Sequence, residues 1–384
     1  MIKIRAPGKL MLAGEWAVLE NDKPCIVMAV DKYVECTIEE ANSSSLLCPG
    51  LDRLDFRYES GKVKFRRLIT PGEKEKLIFA KTSIEIFMKF MEENANPINS
   101  FNITTTGHNT TIRINETERK IGFGSSAATS VAVGAAIMAF YEYDINDIKI
   151  KDIIFKLASI AHFITQGQKG SCFDVAASTY GGVLVYKAFS PLWLINELKV
   201  KTPLLEILEG DWTYLKMRPL KFPEKLSEQM KVLCCWTSKP SNTPLLMIQV
   251  EHFKDNNYDD YTRIMDEIEV TVDSLIDAIE TGNINEIKIM LHQSQYWISK
   301  LDAVSTVGII TPELKKLINI ANDIKDIADK HNCVGKLSGA GGGDSGIAVC
   351  FNDDSCKKVV EEWKNAGLFP IDFKIDYDGM KRVE

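Results

Sequence analysis

The hydrophobic and polar positions of this chain change period several times along its length. Ile2-Lys3-Ile4-Arg5 alternates as a short strand does, and Pro7-Gly8 breaks the alternation. Cys25 to Glu39 is rich in Val, Ile, Tyr and Thr and predicts one or two strands. Ser43 to Phe65 mixes turn residues with short alternating runs, as hairpins do. Helical spacing then takes over, with Leu77, Ile78, Ala80, Ile84, Phe87, Met88 and Met91 on one face between Lys76 and Glu92. Phe101 to Thr106 predicts another strand. Ser125 to Tyr141 predicts a helix of small residues, suited to close packing against a sheet. Ile150 to Thr165 predicts an amphipathic helix stopped by Gly167, and Gly182 to Tyr186 a strand.

Pro191 to Pro223 shows little periodicity, and a domain junction is expected near its end. Beyond it, Val232 to Thr237 predicts a strand. Thr271 to Glu280 predicts a helix with Gly282 as its C-cap, and Ile284 to Leu301 a second helix. Thr311-Pro312-Glu313 is a helix start, because Thr caps and Pro fits the first turn. Leu314, Leu317, Ile318, Ala321, Ile324 and Ala328 would share a face of that helix. Ile347 to Phe351 and Phe373 to Tyr377 read as strands. Helices and strands are interspersed without a regular βαβ period, which predicts an α+β fold. Two domains are expected, 1–225 and 226–384.

Composition narrows the function classes. A chain of 384 residues can bury a sizeable core without disulfides or metals. A net charge of -7 offers no global field for nucleic acid, so an anionic substrate needs a local positive site. Met1 runs straight into strand-like sequence without a signal peptide, and the most apolar stretch, Ser130 to Tyr141, is too short to span a bilayer. A cytoplasmic protein without membrane or nucleic-acid partners is expected, as a monomer or homodimer. Nine cysteines without a CxxC pair suggest reduced, mostly buried thiols, and five histidines show no zinc-ligand spacing.

Four segments carry residues suited to phosphate chemistry. In Pro7-Gly8-Lys9-Leu10, followed by Gly14-Glu15-Trp16, a lysine after a glycine turn can aim its ammonium at a phosphate. In Lys120-Ile121-Gly122-Phe123-Gly124-Ser125-Ser126-Ala127, glycines let backbone N–H groups approach phosphate oxygens. The serines there open a helix whose N-terminal dipole favours negative charge, and a hydroxyl can ligate magnesium. This is not the GxxxxGK[ST] loop. In Gly167 to Asp174, a glycine-rich turn can hold the Asp174 carboxylate near a reacting group, or Asp174 can cap a helix from Val175 to Thr179. In Ser338-Gly339-Ala340-Gly341-Gly342-Gly343-Asp344, four glycines in five positions suit close backbone approach to a ligand. Asp344 is either a turn former or a substrate contact.

Taken in order, the PGKLMLAGEWAV, KIGFGSSAA and KLSGAGGGDSG stretches resemble the three motifs of the GHMP kinase superfamily, over nearly the whole chain from Ile4 to about Gly346. Within it the chain looks most like the phosphomevalonate kinase family. The Gly14-Glu15-Trp16-Ala17-Val18 run, the Ala161-His162 to Asp174 stretch and the Trp236-Thr237-Ser238-Lys239-Pro240-Ser241-Asn242-Thr243 segment carry that likeness. The sequence departs at Cys172, where glycine is usual, at Phe123, where leucine is common, and at Ser345, where cysteine is common.

The resemblance implies an N-terminal domain of the ribosomal S5 domain 2 type and a ferredoxin-like C-terminal domain. It implies transfer of the ATP γ-phosphoryl to (R)-5-phosphomevalonate with Mg2+. Lys9 would then bind the acceptor phosphate and stabilise the transition state, and Asp174 would orient Lys9 or accept a residual proton. Lys120, Gly122, Phe123, Gly124, Ser125, Ser126 and Ala127 would hold the nucleotide, with Ser126, or its neighbour Ser125, on magnesium. Ser171, Ser241, Thr243, Gly341, Gly342 and Asp344 would line the acceptor site. A mevalonate kinase would place a glutamate where His162 stands. A diphosphomevalonate decarboxylase tends to lack the Lys9-type lysine. An inactive binding protein of this fold should have lost Lys9, Asp174 or the loop glycines, and all are present.

Overall fold

The computed structural model describes residues 1–108, 111–114, 117–120, 122–326 and 330–383, with backbone alone at 111–114 and 117–120. β1 (Ile2–Ala13) and β2 (Pro24–Glu40) are long antiparallel partners. β1 therefore does not stop at Pro7-Gly8. The ladder shifts register between those two residues instead, so a bulge absorbs the proline, which has no N–H to give. β3 (Ser45–Leu47), β4 (Leu54–Glu59) and β5 (Lys62–Phe65) extend the sheet through β6 (Phe101–His108), which pairs with β2. β7 (Thr111–Ile114) and β8 (Thr117–Lys120) form a separate hairpin. β9 (Val183–Lys187) and β10 (Lys216–Pro219) close the other side.

Four helices cover one face of this sheet. α1 (Pro71–Glu93) starts at a full capping box, with the Thr70 hydroxyl accepting from Glu73 N–H and the Glu73 carboxylate from Thr70 N–H. α2 (Ser125–Phe140), α3 (Ile148–Thr165) and α4 (Phe173–Tyr180) follow. Gly167 stands just past α3 in the left-handed region, as a helix-stopping glycine does. The stretch without visible periodicity, 191–223, holds two short helices, α5 (Pro191–Val200) and α6 (Leu204–Glu209), besides β10. Their apolar residues serve the edge of a core built mostly elsewhere, so no face repeats long enough to be read. Trp212 is buried there against Phe189, with Trp193 beside it, so these rings are packing residues.

After α7 (Glu224–Gln229), the second sheet forms from β11 (Lys231–Trp236), β12 (Cys333–Leu337), β13 (Ser345–Cys350) and β14 (Phe369–Ile371), in the order β12-β13-β11-β14 and all antiparallel. α8 (Thr243–Asn256), α9 (Tyr258–Thr281), α10 (Ile284–Ser305), α11 (Pro312–Asp323) and α12 (Asp353–Asn365) pack around it. α9 begins well before the expected Thr271. α11 ends at Asp323, so Ile324 is its C-cap, and Ala328 lies outside the described residues. Phe373 to Tyr377 is not a strand of its own. Ile375 bridges Val30 and the chain returns to the first sheet, where β15 (Lys381–Arg382) pairs with β1.

β1 and β2 are buried on both faces. Ile4, Ala6, Met11 and Val27 join the core under α1 to α4, while Leu10, Leu12, Ile26 and Met28 join a second core with α9 and α10. A third core lies between the second sheet and α11 and α12. Cys333 and Cys350, opposite each other across β12 and β13, form a disulfide, which corrects the expectation of reduced thiols there. The remaining cysteines are free and, apart from Cys356, buried. No helix among the described residues is long and apolar enough to cross a membrane.

Candidate active site

The register shift at Pro7-Gly8, where β2 carries the extra residues Asp31 and Lys32, has a local consequence. A methyl group at Gly8 would lie 2.5 Å from the carbonyl oxygen of Phe123. Only glycine lets the loop before α2 rest on the strand, and there Lys9 N–H donates to Phe123 O at 2.8 Å. Phe123 itself is buried in the second core, anchoring the loop from below. The Lys9 side chain then runs over Gly124: a methyl group there would meet Lys9 Cγ at 3.1 Å, Lys9 Cε at 3.3 Å and Asp174 Cβ at 3.8 Å. The Lys9 ammonium lies 5.8 Å from the centre of the Phe173 ring, and a methyl group at Gly339 would approach it to 4.0 Å. Residues 9, 124, 174 and 339 thus converge on one spot.

Gly124 is the N-cap of α2, with φ of 76° and no side chain to cap the helix. Ala128 N–H is the first to bond within the helix, to Gly124 O at 3.2 Å. The amides of Ser125, Ser126 and Ala127 are therefore left for an outside acceptor, at the positive end of the helix dipole. The hydroxyls of Ser125 and Ser126 are half-buried and make no hydrogen bond among the described residues. Lys120 lies on β8, and its side chain falls outside the described residues.

Asp174 does not cap its helix. α4 already includes it, and Cys172 occupies the cap with φ of 59°. That left-handed backbone explains why a glycine would suit the position, and the thiol is instead buried toward Ser159 O. Asp174 Oδ1 accepts from Val175 N–H at 3.0 Å, and Oδ2 stands 3.8 Å from His162 Nε2. His162 is buried against Phe79, with Nδ1 unpartnered among the described residues. Burial pushes its imidazole below the ordinary value, against the pull of Asp174. The sequence carried no signal for this pairing, since a histidine on an amphipathic helix reads as packing. Ser171 is buried, and its carbonyl accepts from Tyr186 OH at 2.6 Å.

The C-terminal glycine loop is stitched to the rest. The Ser338 hydroxyl accepts from Met11 N–H at 3.0 Å and donates to Met11 O at 2.8 Å. Gly342 N–H donates to Ile309 O at 2.7 Å, and the Asp302 carboxylate holds the amides of Gly308, Ile309 and Ile310. Ser241 Oγ donates to Gly341 O at 2.5 Å, so that hydroxyl proton is already engaged. Thr243 is exposed in the first turn of α8, next to the Asn242 cap. Asp344 Oδ1 accepts from Gly122 N–H at 3.1 Å. Burial raises the Asp344 carboxyl above the usual range, while Lys9 and the Gly122 amide oppose the shift. Asp302 was not singled out by sequence, because an aspartate near a helix end reads as an ordinary surface residue; the Ser338 contact to Met11 was hidden because its partner lies 327 residues away.

Among the described residues no group of three or more His, Cys, Asp or Glu side chains could hold a metal ion. The donor set fits magnesium in another way. A serine hydroxyl at the start of α2 could supply one hard oxygen, and Mg2+ takes most of its ligands from phosphates and water.

Two family models match the chain: GHMP kinases N terminal domain over residues 83–182, and GHMP kinases C terminal over residues 275–367. Together they cover half of it and take in the Gly122–Ser126 loop, Asp174 and Asp344. The phosphomevalonate kinase of Streptomyces sp. (strain CL190) is 27% identical over 379 residues, spanning 95% of each chain. Among solved structures, a Lin0012 protein from Listeria innocua aligns with a TM-score of 0.85 at 27% identity, over 100% of this chain and 99% of that one. A Streptococcus pneumoniae phosphomevalonate kinase in complex with phosphomevalonate and AMPPNP aligns with a TM-score of 0.78 at 23% identity, over 100% of both chains.

Proposed function

Because this chain belongs to the GHMP kinase family, we propose that it is an ATP-dependent phosphomevalonate kinase, acting in the cytoplasm as a monomer or homodimer. It transfers the γ-phosphoryl of ATP to the phosphate of (R)-5-phosphomevalonate. An acceptor phosphate oxygen forms the new bond to the γ-phosphorus, the bond from that phosphorus to the β-bridging oxygen breaks, and ADP leaves with (R)-5-diphosphomevalonate. The observation that carries the reading is the convergence of the Lys9 side chain, the uncapped start of α2 and the Cβ of Asp174 around Gly124.

The acceptor oxygen is already acidic, so positioning and charge neutralisation matter more than a strong base. The amides of Ser125, Ser126 and Ala127 hold the β- and γ-phosphates of ATP. Lys9, fixed at its own amide by Phe123 O, binds the acceptor phosphate and meets the charge that develops in line. Asp174 keeps the Lys9 ammonium aimed, or takes a residual proton. Ser126, with Ser125 as the alternative, would hold Mg2+, which would supply neutralisation of the phosphate charge. Ser171, Ser241, Thr243, Gly341 and Gly342 line the acceptor side, with Ser241 offering lone pairs because its proton is given to Gly341 O. Lys120 leans on the nucleotide from the β7–β8 hairpin.

The test is ADP release by the purified chain with ATP and Mg2+, run in parallel with mevalonate and 5-phosphomevalonate. Turnover with the phosphorylated acceptor alone supports the reading. Turnover with mevalonate alone overturns it.

A further inference from the structure

Asp344 presents a carboxylate where two sets of phosphates are to meet, which needs a physical reason. Its main chain is fixed from several sides. Its N–H donates to Lys239 O at 2.6 Å, and its carbonyl accepts from Thr237 N–H at 2.8 Å and Thr237 Oγ1 at 2.9 Å. Its φ is 60°, in the left-handed region, at the residue just before β13. The carboxylate crosses to the other domain and takes Gly122 N–H, 222 residues away in sequence. The fit is close: a methyl group at Gly122 would lie 1.5 Å from Oδ2 and 2.4 Å from Cγ. The space left by the missing side chain of Gly122 is filled by this carboxylate.

We propose that Asp344 is a positioning residue whose carboxylate fastens the phosphate loop to the C-terminal glycine loop, setting the amides at the start of α2 before nucleotide arrives. The proposal rests on the reading that this loop takes the phosphates of ATP. It divides the loop into two parts. Gly122 N–H is engaged by protein and fixes the approach to the helix. The amides of residues 125–127 have no acceptor among the described residues and remain for the ligand. The Asp344 carboxylate is engaged by the Gly122 amide, a protein group of the loop. Asp344 thus acts on the loop rather than on the acceptor.

Binding of adenylyl imidodiphosphate with Mg2+, measured by titration calorimetry without acceptor, tests this on the full chain. Asp344→Gly suits the positive φ and removes the carboxylate. It should weaken nucleotide binding by about tenfold, the scale of one charge-assisted hydrogen bond. Asp344→Asn keeps an oxygen for Gly122 N–H and should stay within about threefold of wild type. Gly122→Ala alone should weaken binding by more than about tenfold through the clash. In the Asp344→Gly background it should add less than about threefold, because the clashing group is gone. Additive effects, an Asp344→Gly chain that binds like wild type, or a wild-type chain that binds no nucleotide would overturn the proposal. Failure to phosphorylate phosphomevalonate with nucleotide binding intact would instead strike the functional reading and leave this coupling standing.

Discussion

Glu15 and Lys336 form an ion pair with 0% exposure of either side chain, and the pair joins the end of β1 to the second sheet. Lys336 also donates to Leu337 O at 2.8 Å, while Glu15 Oε2 has no hydrogen-bond partner among the described residues. Burial pushes the Lys336 ammonium below its ordinary value, and Glu15 pulls it back. Replacing Lys336 by Met leaves a carboxylate without its cation in a dry interior. Breaking such a pair costs about 3–5 kcal/mol. An unfolding entropy of about 2.1 cal/mol/K per residue over this chain gives roughly 0.8 kcal/mol/K, so Tm should fall by about 4–6 °C. The double change Glu15→Leu with Lys336→Met removes both charges and should recover most of that loss. Circular dichroism melts of wild type, single and double variants measure it. A Lys336→Met protein melting within about 1 °C of wild type, or a double variant no better than the single, would refute the reasoning.

Other expectations concern the site and its support. Lys9→Ala should lower turnover more than about a hundredfold, the scale of losing a key electrostatic group, and Asp174→Asn should lower it with an unchanged melt; steady-state kinetics beside thermal melting check both. Gly134→Ala should destabilise the protein by about 1–3 kcal/mol, because a methyl group there would lie 2.1 Å from Phe87 Cζ where α1 and α2 touch. Adding Phe87→Leu should return part of that loss in urea unfolding. His162 is depressed below its ordinary 6.5 by burial, so the unfolded chain takes up a proton first as pH falls. Its stability contribution is present above that value and lost below it. Tm should therefore drop more between about pH 7.5 and about pH 5 in wild type than in His162→Gln, and equal drops would contradict the assignment.

Much of the site was legible because its signals are local. The small-residue helix after Gly124, the helix start at Thr311-Pro312 and the glycine loop before β13 are each written within a few residues. What was hidden depends on partners far along the chain. Pro7-Gly8 reads as a strand end, and only pairing with β2 turns it into a register shift. Lys336 reads as an ordinary strand lysine until Glu15 is beside it. Asp174 reads as a helix cap because nothing local shows that Cys172 takes the left-handed cap. Phe373 to Tyr377 has strand residues, but Val30 receives only Ile375.

The central claim is that the acceptor atom is a phosphate oxygen. Phosphorus NMR of a reaction with ATP, Mg2+ and 5-phosphomevalonate examines that bond itself. The account predicts loss of the phosphomonoester resonance and growth of two mutually coupled diphosphate resonances, in step with ADP. A phosphomonoester signal that persists while ATP is consumed, or a second monoester signal without that coupling, would contradict it.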